Sequence, residues 1–233
     1  MTSMKPHSPL FIAALALFAA PAAPAANLTL AETLAKMDQV AAHFKGLSAN
    51  LQTVQHMNAI HEDDLQSGTI LVKRAARNNL HVKVSFDKPE RKIAVSNGKK
   101  IDVYYPSSAE IQEVDVGNRR SMLDMILALG FGGSSKELLD NYQATLGGPD
   151  TVAGEAATRL QLIPKAPEML DQWRKIDLWI SDKTGYAVQQ KFYQAGQDYM
   201  LITYTNVQPK PDIPDAEFTL PKGAKKEPLN KKK

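Results

Sequence analysis

Five side chains of the kinds that hold metal ions lie close together in the chain: His56, His61, Glu62, Asp63 and Asp64. A metal centre needs imidazole and carboxylate groups converging on one point, and zinc sites show recurring ligand spacings. The separation of His56 from His61 fits none of them. The segment NAIHEDDLQSG reads as a loop between strands, where polar residues are solvated. A solvated loop therefore accounts for the cluster, and no metal is assigned to it. Catalytic chemistry finds no better footing. The sequence lacks G-x-S-x-G, the P-loop, G-x-G-x-x-G and H-E-x-x-H, so each constellation that would place a nucleophile, a phosphate cradle or a metal is missing. It contains no cysteine, which excludes a thiol nucleophile, a thiolate metal site and a disulfide framework. Asp182 and Gly185 suit a hairpin turn, and Trp173 and Trp179 fall on or beside a strand, where packing is sufficient reason for them. No catalytic residue and no cofactor is assigned.

The residue that asks for an explanation is an arginine. In SGTILVKRAARNNLHVKVSF, Ser67 to Phe86, alternate side chains of a strand face the same way. Leu80, Val82, Val84 and Phe86 share one face, with His81, Lys83 and Ser85 on the other. The same parity carried back across the turn places Ile70 and Val72 on the apolar face, followed by Arg74. A permanent cation beside apolar side chains is costly unless it is paired.

The elements around this face follow from periodicity. Residues Thr29 to Lys45 read as an amphipathic helix, with Thr29 and Glu32 as a capping box and Leu30, Leu34, Met37, Ala41 and Phe44 on one side. Alternation takes over from Leu47 to Gln55. RKIAVSNGKKIDVYYP is a hairpin turning at Asn97-Gly98, and AEIQEVDV is a further strand. Met122, Met125, Ile126 and Leu129, then Leu138, Leu139 and Tyr142, fall at helical spacing, interrupted by Gly130, Gly132 and Gly133. ATRLQLIPK, RKIDLWISDKTGYAVQQKFYQ and DYMLITYTNV return to strand patterning, and AEFTLPKG is read as a last short strand. Short turns and the lack of βαβ alternation favour antiparallel pairing. The expectation is an α+β domain, a strongly curved antiparallel sheet forming an unclosed half-barrel, with helices over its concave face.

The apolar face admits two readings. It is either a sealed core with the helices permanently seated on it, or an openable cavity. Methionines at Met37, Met122, Met125 and Met169, which tolerate changing contacts, and the glycine-broken second helix favour the cavity. Its lining would be Ile70, Val72, Leu80, Val82, Val84, Phe86, Met122, Met125, Ile126 and Leu129, under a lid helix contributing Leu34, Met37 and Phe44.

Residues 1–26 carry one lysine, an apolar run from Leu10 to Ala20 and two Ala-Pro-Ala triplets, the pattern of a cleaved secretory signal peptide too short to span a bilayer. Residues 27–221 are expected to form one domain. The whole chain has 28 basic and 25 acidic residues. Without Lys5 and the six lysines and one glutamate of Lys222 to Lys233, the body is left with 21 against 24. The basic charge therefore belongs to residues 222–233, read as a disordered tail, and nucleic acid is not an expected partner.

Several segments together resemble the periplasmic outer-membrane lipoprotein carrier family, LolA. They are SGTILVKRAARNNLHVKV, PERKIAVSNGKKIDVYYP, the Asp-x-x-Gly of IDLWISDKTGYAVQQKFYQ, and the closing TYTNVQPKPDIPDAEFTLPKGAK. The likeness runs with gaps from about Leu30 to Lys222, and it is the order and spacing of the segments that is specific. It implies a half-barrel whose helical lid covers an apolar concavity holding the acyl chains of an exported lipoprotein. The family's latch arginine falls on Arg74, where it would hold the lid by hydrogen bonds to the helical part. The implied partners are acylated lipoproteins, an inner-membrane ABC-type release complex and, where one exists, an outer-membrane acceptor. A soluble periplasmic monomer without enzymatic activity or cofactor is expected. Many relatives carry a bulky aromatic where Leu80 stands, so the cavity is expected to suit other chains. The alternative is a binding module or sensor for another lipid or apolar small ligand on the same fold.

Overall fold

The computed structural model describes residues 27–76, 79–96, 101–114, 126 and 128–227. The signal segment 1–26, the Asn97-Gly98 turn, Met122, Met125 and the last six residues, 228–233, lie outside them.

Helix α1, Leu30–His43, begins where the sequence places its cap. The Thr29 hydroxyl accepts from the Glu32 N–H at 3.2 Å, and the Glu32 carboxylate accepts from the Thr29 N–H at 2.8 Å. The Thr29 N–H and then its hydroxyl, which also donates to the carboxylate at 2.7 Å, hold the Glu32 carboxyl below its ordinary value. Thr33 and Met37 are the buried residues of the helix, and Phe44 ends it in extended geometry.

Twelve strands then form one sheet. They are β1 Gly46–Met57, β2 Glu62–Ala76, β3 Asn79–Lys88, β4 Lys92–Ser96, β5 Ile101–Tyr105, β6 Glu110–Val114, β7 Tyr142–Val152, β8 Glu155–Pro164, β9 Lys175–Ser181, β10 Ala187–Tyr193, β11 Tyr199–Pro209 and β12 Lys225–Glu227. Between β6 and β7 lie a helical segment at 128–130 and α2, Ser135–Asn141; α3, Pro167–Gln172, joins β8 to β9. The strand order is β12-β6-β5-β4-β3-β2-β1-β11-β10-β9-β8-β7. Every pair is antiparallel except β12 with β6. The sheet does not close on itself, so the expected unclosed α+β half-barrel is the fold present. The sheet is joined at its middle by β1, which pairs with β2 on one side and with β11 on the other, Leu47 opposite Pro209.

Four local expectations need correction. The loop after β1 is short, because β2 begins at Glu62 and pairs Glu62 with Met57. Tyr142 is the first residue of β7 and not the last of a helix. β7 was hidden by Gly147, Gly148 and Pro149. It is an edge strand with a bulge between Leu146 and Gly148, a setting in which proline and glycine are tolerated. AEFTLPKG contains a turn of 3-10 helix at Asp215–Phe218 in place of a strand. The turn follows Pro214 and drives Phe218 inward. Finally, Lys225–Glu227 of the segment read as a disordered tail forms β12 against β6.

Buried apolar residues separate onto the two faces. The large cluster on the concave side joins sheet residues such as Leu47, Ile70, Val72, Leu160, Leu178 and Ile202 to residues of the cover. On the convex side, Val95, Ile213 and Phe218 pack together, and Val152, Ala157, Trp179 and Val188 form a second group.

Candidate functional site

The apolar face read from alternation is assembled by strand register. Ile70 lies opposite Val84, Val72 opposite Val82, Arg74 opposite Leu80, and Gly68 opposite Phe86. Ile70, Val72 and Val82 are buried, and Leu80, Val84 and Phe86 pack against the same cluster with part of their surface exposed. Gly68 is required there, since any Cβ would run into the backbone of Ser85.

The cover consists of α1, Ile126 with the stretch 128–131, and α2. Met37, Phe44, Ile126, Leu129, Phe131 and Leu138 are buried in the concave cluster, and Leu34 is partly buried against it. Leu139 is exposed. Phe131, which the sequence reading did not single out, has no exposed surface and meets Tyr204 edge-on at 4.8 Å between ring centres.

Arg74 has the partners a cation in this position needs. Its Nη1 donates to the Ala41 carbonyl at 3.3 Å and its Nη2 to the Gly132 carbonyl at 2.7 Å. Its guanidinium carbon lies 5.4 Å from the centre of the Phe44 ring. Ala41 is in the last turn of α1, where carbonyls lack intrahelical partners, and the forked guanidinium can serve two at once. Gly132 has φ +90, and a Cβ there would sit 2.5 Å from Arg74 Nη2 and 2.9 Å from the Phe44 ring. One strand residue thus ties the end of α1 to the glycine-rich turn of the second helical segment. A further bond links the cover to itself: the Asp38 carboxylate accepts from the Ser135 N–H at 2.7 Å and from its hydroxyl at 2.6 Å.

Under the cover lies a polar pair that alternation alone did not bring forward. Gln190 is fully buried. Its Nε2 donates to the Ile126 carbonyl at 3.0 Å, and its Oε1 accepts from the Tyr204 hydroxyl at 3.3 Å. Burial pushes the Tyr204 phenol well above its ordinary value. The signal was present in AVQQKFY, where Gln190 shares parity with Phe192, but glutamine in a strand reads as outward-facing by default.

Of the His56 cluster, only His56 and Asp63 form a strand pair on the opposite face. His56 lies across from Asp63, with Nδ1 and the carboxylate 2.7 Å apart, and stacks on Tyr199 at 4.7 Å. Among the described residues no group of three or more histidine, cysteine, aspartate or glutamate side chains could hold a metal ion. A groove of about 380 Å3 on the convex side is lined mainly by polar residues, including Ser48, Asn50, Thr69, Ser85, Asn206 and Gln208. It lies outside the cover.

No protein-family model and no curated protein matches the sequence. Solved structures do match. An uncharacterized conserved protein from Thermus thermophilus overlays with a TM-score of 0.54 at 13% identity, covering 85% of this chain and 98% of that one. MucB overlays with a TM-score of 0.52 at 11% identity, covering 84% of this chain and 64% of that one. A LolA superfamily protein from Nitrosomonas europaea overlays more loosely, with a TM-score of 0.39 at 15% identity, over 83% of this chain and 98% of that one. The fold is the one shared with the Thermus thermophilus protein and with MucB. At these identities the likeness concerns the fold alone. In this chain the elements over the concave face are α1 and residues 126 and 128–141. No helix among the described residues is long and apolar enough to cross a membrane.

Proposed function

We propose that this protein is a periplasmic carrier that hides the acyl chains of lipoproteins on its concave face and ferries them from the inner to the outer membrane. The observation that carries the reading is Arg74. A broad apolar sheet face is covered by helical segments, and one guanidinium holds two of them by backbone carbonyls. Such bonds can be given up without disturbing any strand pairing, and their loss biases the cover towards its open arrangement.

The physical need is plain. Each methylene is worth roughly 0.8 kcal/mol when buried, so a chain of about 15 methylenes costs on the order of 10 kcal/mol to leave in water. A carrier must shield such chains and also release them, which suits a surface whose own cover competes for it. In this reading the signal segment sends the chain to the periplasm. The lipoprotein arrives from an ABC-type release complex of the inner membrane and leaves to the outer membrane or an acceptor there. The chain acts as a monomer and catalyses no reaction. A second reading, a binding module for another lipid or apolar ligand, is favoured by the aliphatic Leu80 at the edge of the face.

The test is displacement of bis-ANS by palmitate and by a triacylated lipopeptide, on the mature protein and on Arg74→Leu. Both ligands are expected to displace the dye. The substitution is expected to change affinity or release rate by about tenfold, the scale of losing charged hydrogen bonds. Displacement by palmitate but not by the lipopeptide would favour the second reading. A protein that takes up neither dye nor chain has a sealed core, and the carrier proposal fails.

A further inference from the structure

We infer that Gln190 selects the chains this site accepts, favouring acyl chains that carry an internal hydrogen-bond acceptor, such as a hydroxyl, ester or amide oxygen, over plain hydrocarbon. The inference rests on the carrier reading above and adds a chemical preference to it.

Gln190 is held from two sides. On the sheet side, the Tyr204 hydroxyl donates to its Oε1 from the adjacent strand at 3.3 Å. On the cover side, its Nε2 donates to the carbonyl of Ile126 at 3.0 Å. The fit is close: a Cβ on Gly130 would lie 2.9 Å from Nε2, so the glycine lets the cover backbone reach the amide. Across the strands, Gln190 is flanked by Ile202 and Leu178, both buried. The amide and the Tyr204 hydroxyl that holds it therefore form a polar point between apolar neighbours of the floor.

When the cover lifts to admit a chain, these two bonds have different fates. Tyr204 stays, because it moves with the sheet, and it continues to orient the amide. The Ile126 carbonyl leaves with the cover, and the Nε2 donor then faces whatever enters. A methylene cannot accept its hydrogen bond, and an unpaired buried amide weakens binding by about tenfold. An oxygen on the chain at that depth takes the place of the carbonyl and recovers the loss. The same bond makes the cover compete with plain chains and speeds their release.

The experiment uses the mature chain and bis-ANS displacement by four probes: palmitate, 3-hydroxypalmitate, stearate and 12-hydroxystearate. Wild type is compared with Gln190→Leu, Gln190→Met and Tyr204→Phe. In wild type at least one hydroxylated chain is expected to bind about three- to tenfold more tightly than its parent, on the scale of one hydrogen bond. Gln190→Leu and Gln190→Met should erase that ratio while binding the plain chains more tightly. Tyr204→Phe keeps the aromatic ring and removes only the bond that orients the amide, so it should shrink the ratio even if the glutamine variants fold poorly. A wild-type ratio near one for both pairs, or a ratio that survives all three substitutions, overturns the inference and leaves the carrier reading intact. If none of the four probes displaces the dye from wild type, the carrier reading falls and takes this inference with it.

Discussion

The two faces of the sheet are both covered, but by different means. On the concave side the cover is helical. It rests on apolar side chains and is tied by bonds from side chains to carbonyls: Arg74 to Ala41 and Gly132, and Gln190 to Ile126. On the convex side the chain over residues 210–227 crosses the outside of the sheet. It is held by Lys73 with Asp215 at 2.6 Å, Lys83 with Glu217 at 3.4 Å, and Lys226 with Asp102 and Glu113 at 3.3 and 3.1 Å. It then ends in β12, which extends the sheet itself. A cover that can leave must not be part of the ladder, whereas a permanent one can be. Under the proposed function, that contrast separates a working face from a structural one.

The largest expected effect comes from cutting one aromatic ring out of each face. Phe131→Ala removes a fully buried side chain from the concave cluster and should cost about 3 to 5 kcal/mol in denaturant unfolding. Phe218→Ala, taken from the small convex cluster, should cost about 2 kcal/mol. A loss at Phe131 no larger than that at Phe218 would mean that the concave cover is already lifted for part of the time, so that its deeper burial adds little stability.

A sharper comparison uses two glycines of nearly the same φ, Gly132 at φ +90 and Gly223 at φ +93. Gly223 has no neighbour within 4 Å of where a Cβ would stand. Gly223→Ala therefore pays only for its conformation, about 1 to 2 kcal/mol. Gly132→Ala adds the collision with Arg74 and Phe44, so it should lose more stability and also raise bis-ANS binding. If both variants bind the dye as wild type does, Arg74 is not a latch.

The smallest effect belongs to acid titration on the convex face. The Asp150 carboxylate accepts from Trp179 Nε1 at 2.9 Å and from the Thr151 N–H at 2.8 Å. The Trp179 bond, then the Thr151 bond, hold its carboxyl below the ordinary 3.8. A carboxyl lowered in the folded state stabilises the fold above its unfolded value and loses that contribution as pH falls through the lowered one. In a Trp173→Phe background, Trp179 emission should therefore stay flat down to about pH 4 and change below it, and Asp150→Asn should abolish the step. The converse variant, Trp179→Phe, leaves Trp173 packed against Phe192 at 5.2 Å in the concave cluster, where no such step is expected.

Much of this architecture was legible in the residues. Thr29 and Glu32 announced α1 because a capping box is local chemistry. Alternation around Ile70, Val72, Leu80, Val82, Val84 and Phe86 announced one face, and it left Arg74 as the residue without an explanation. The SDKTG turn was readable for the same local reason: the Ser181 hydroxyl accepts from the Lys183 and Thr184 N–H groups at 3.2 and 3.0 Å, and Gly185 has φ +76. What was not legible depended on partners far along the chain. β7 is a strand because β8 pairs with it, against the local preference of Gly147, Gly148 and Pro149. Lys225–Glu227 is ordered by β6, and the partner that satisfies the inward amide of Gln190 is a carbonyl of the cover. Each of these is decided by a contact that no window of neighbouring residues contains.

The pairing of β1 with β11 has a consequence for how the molecule comes into being. One half of the sheet is built from β2 to β6 and the other from β7 to β10, and β1 and β11 are the seam between them. Pairings so distant in the chain form late and slowly. Until Tyr199–Pro209 has emerged, β1 is a raw edge open to any strand that meets it. A nascent chain would pass through a stage with the lining of the concave face already made and its far wall missing, when it most needs a holder of its own. A chain cut before Tyr199 would not be a smaller carrier but two apolar half-sheets with bare edges.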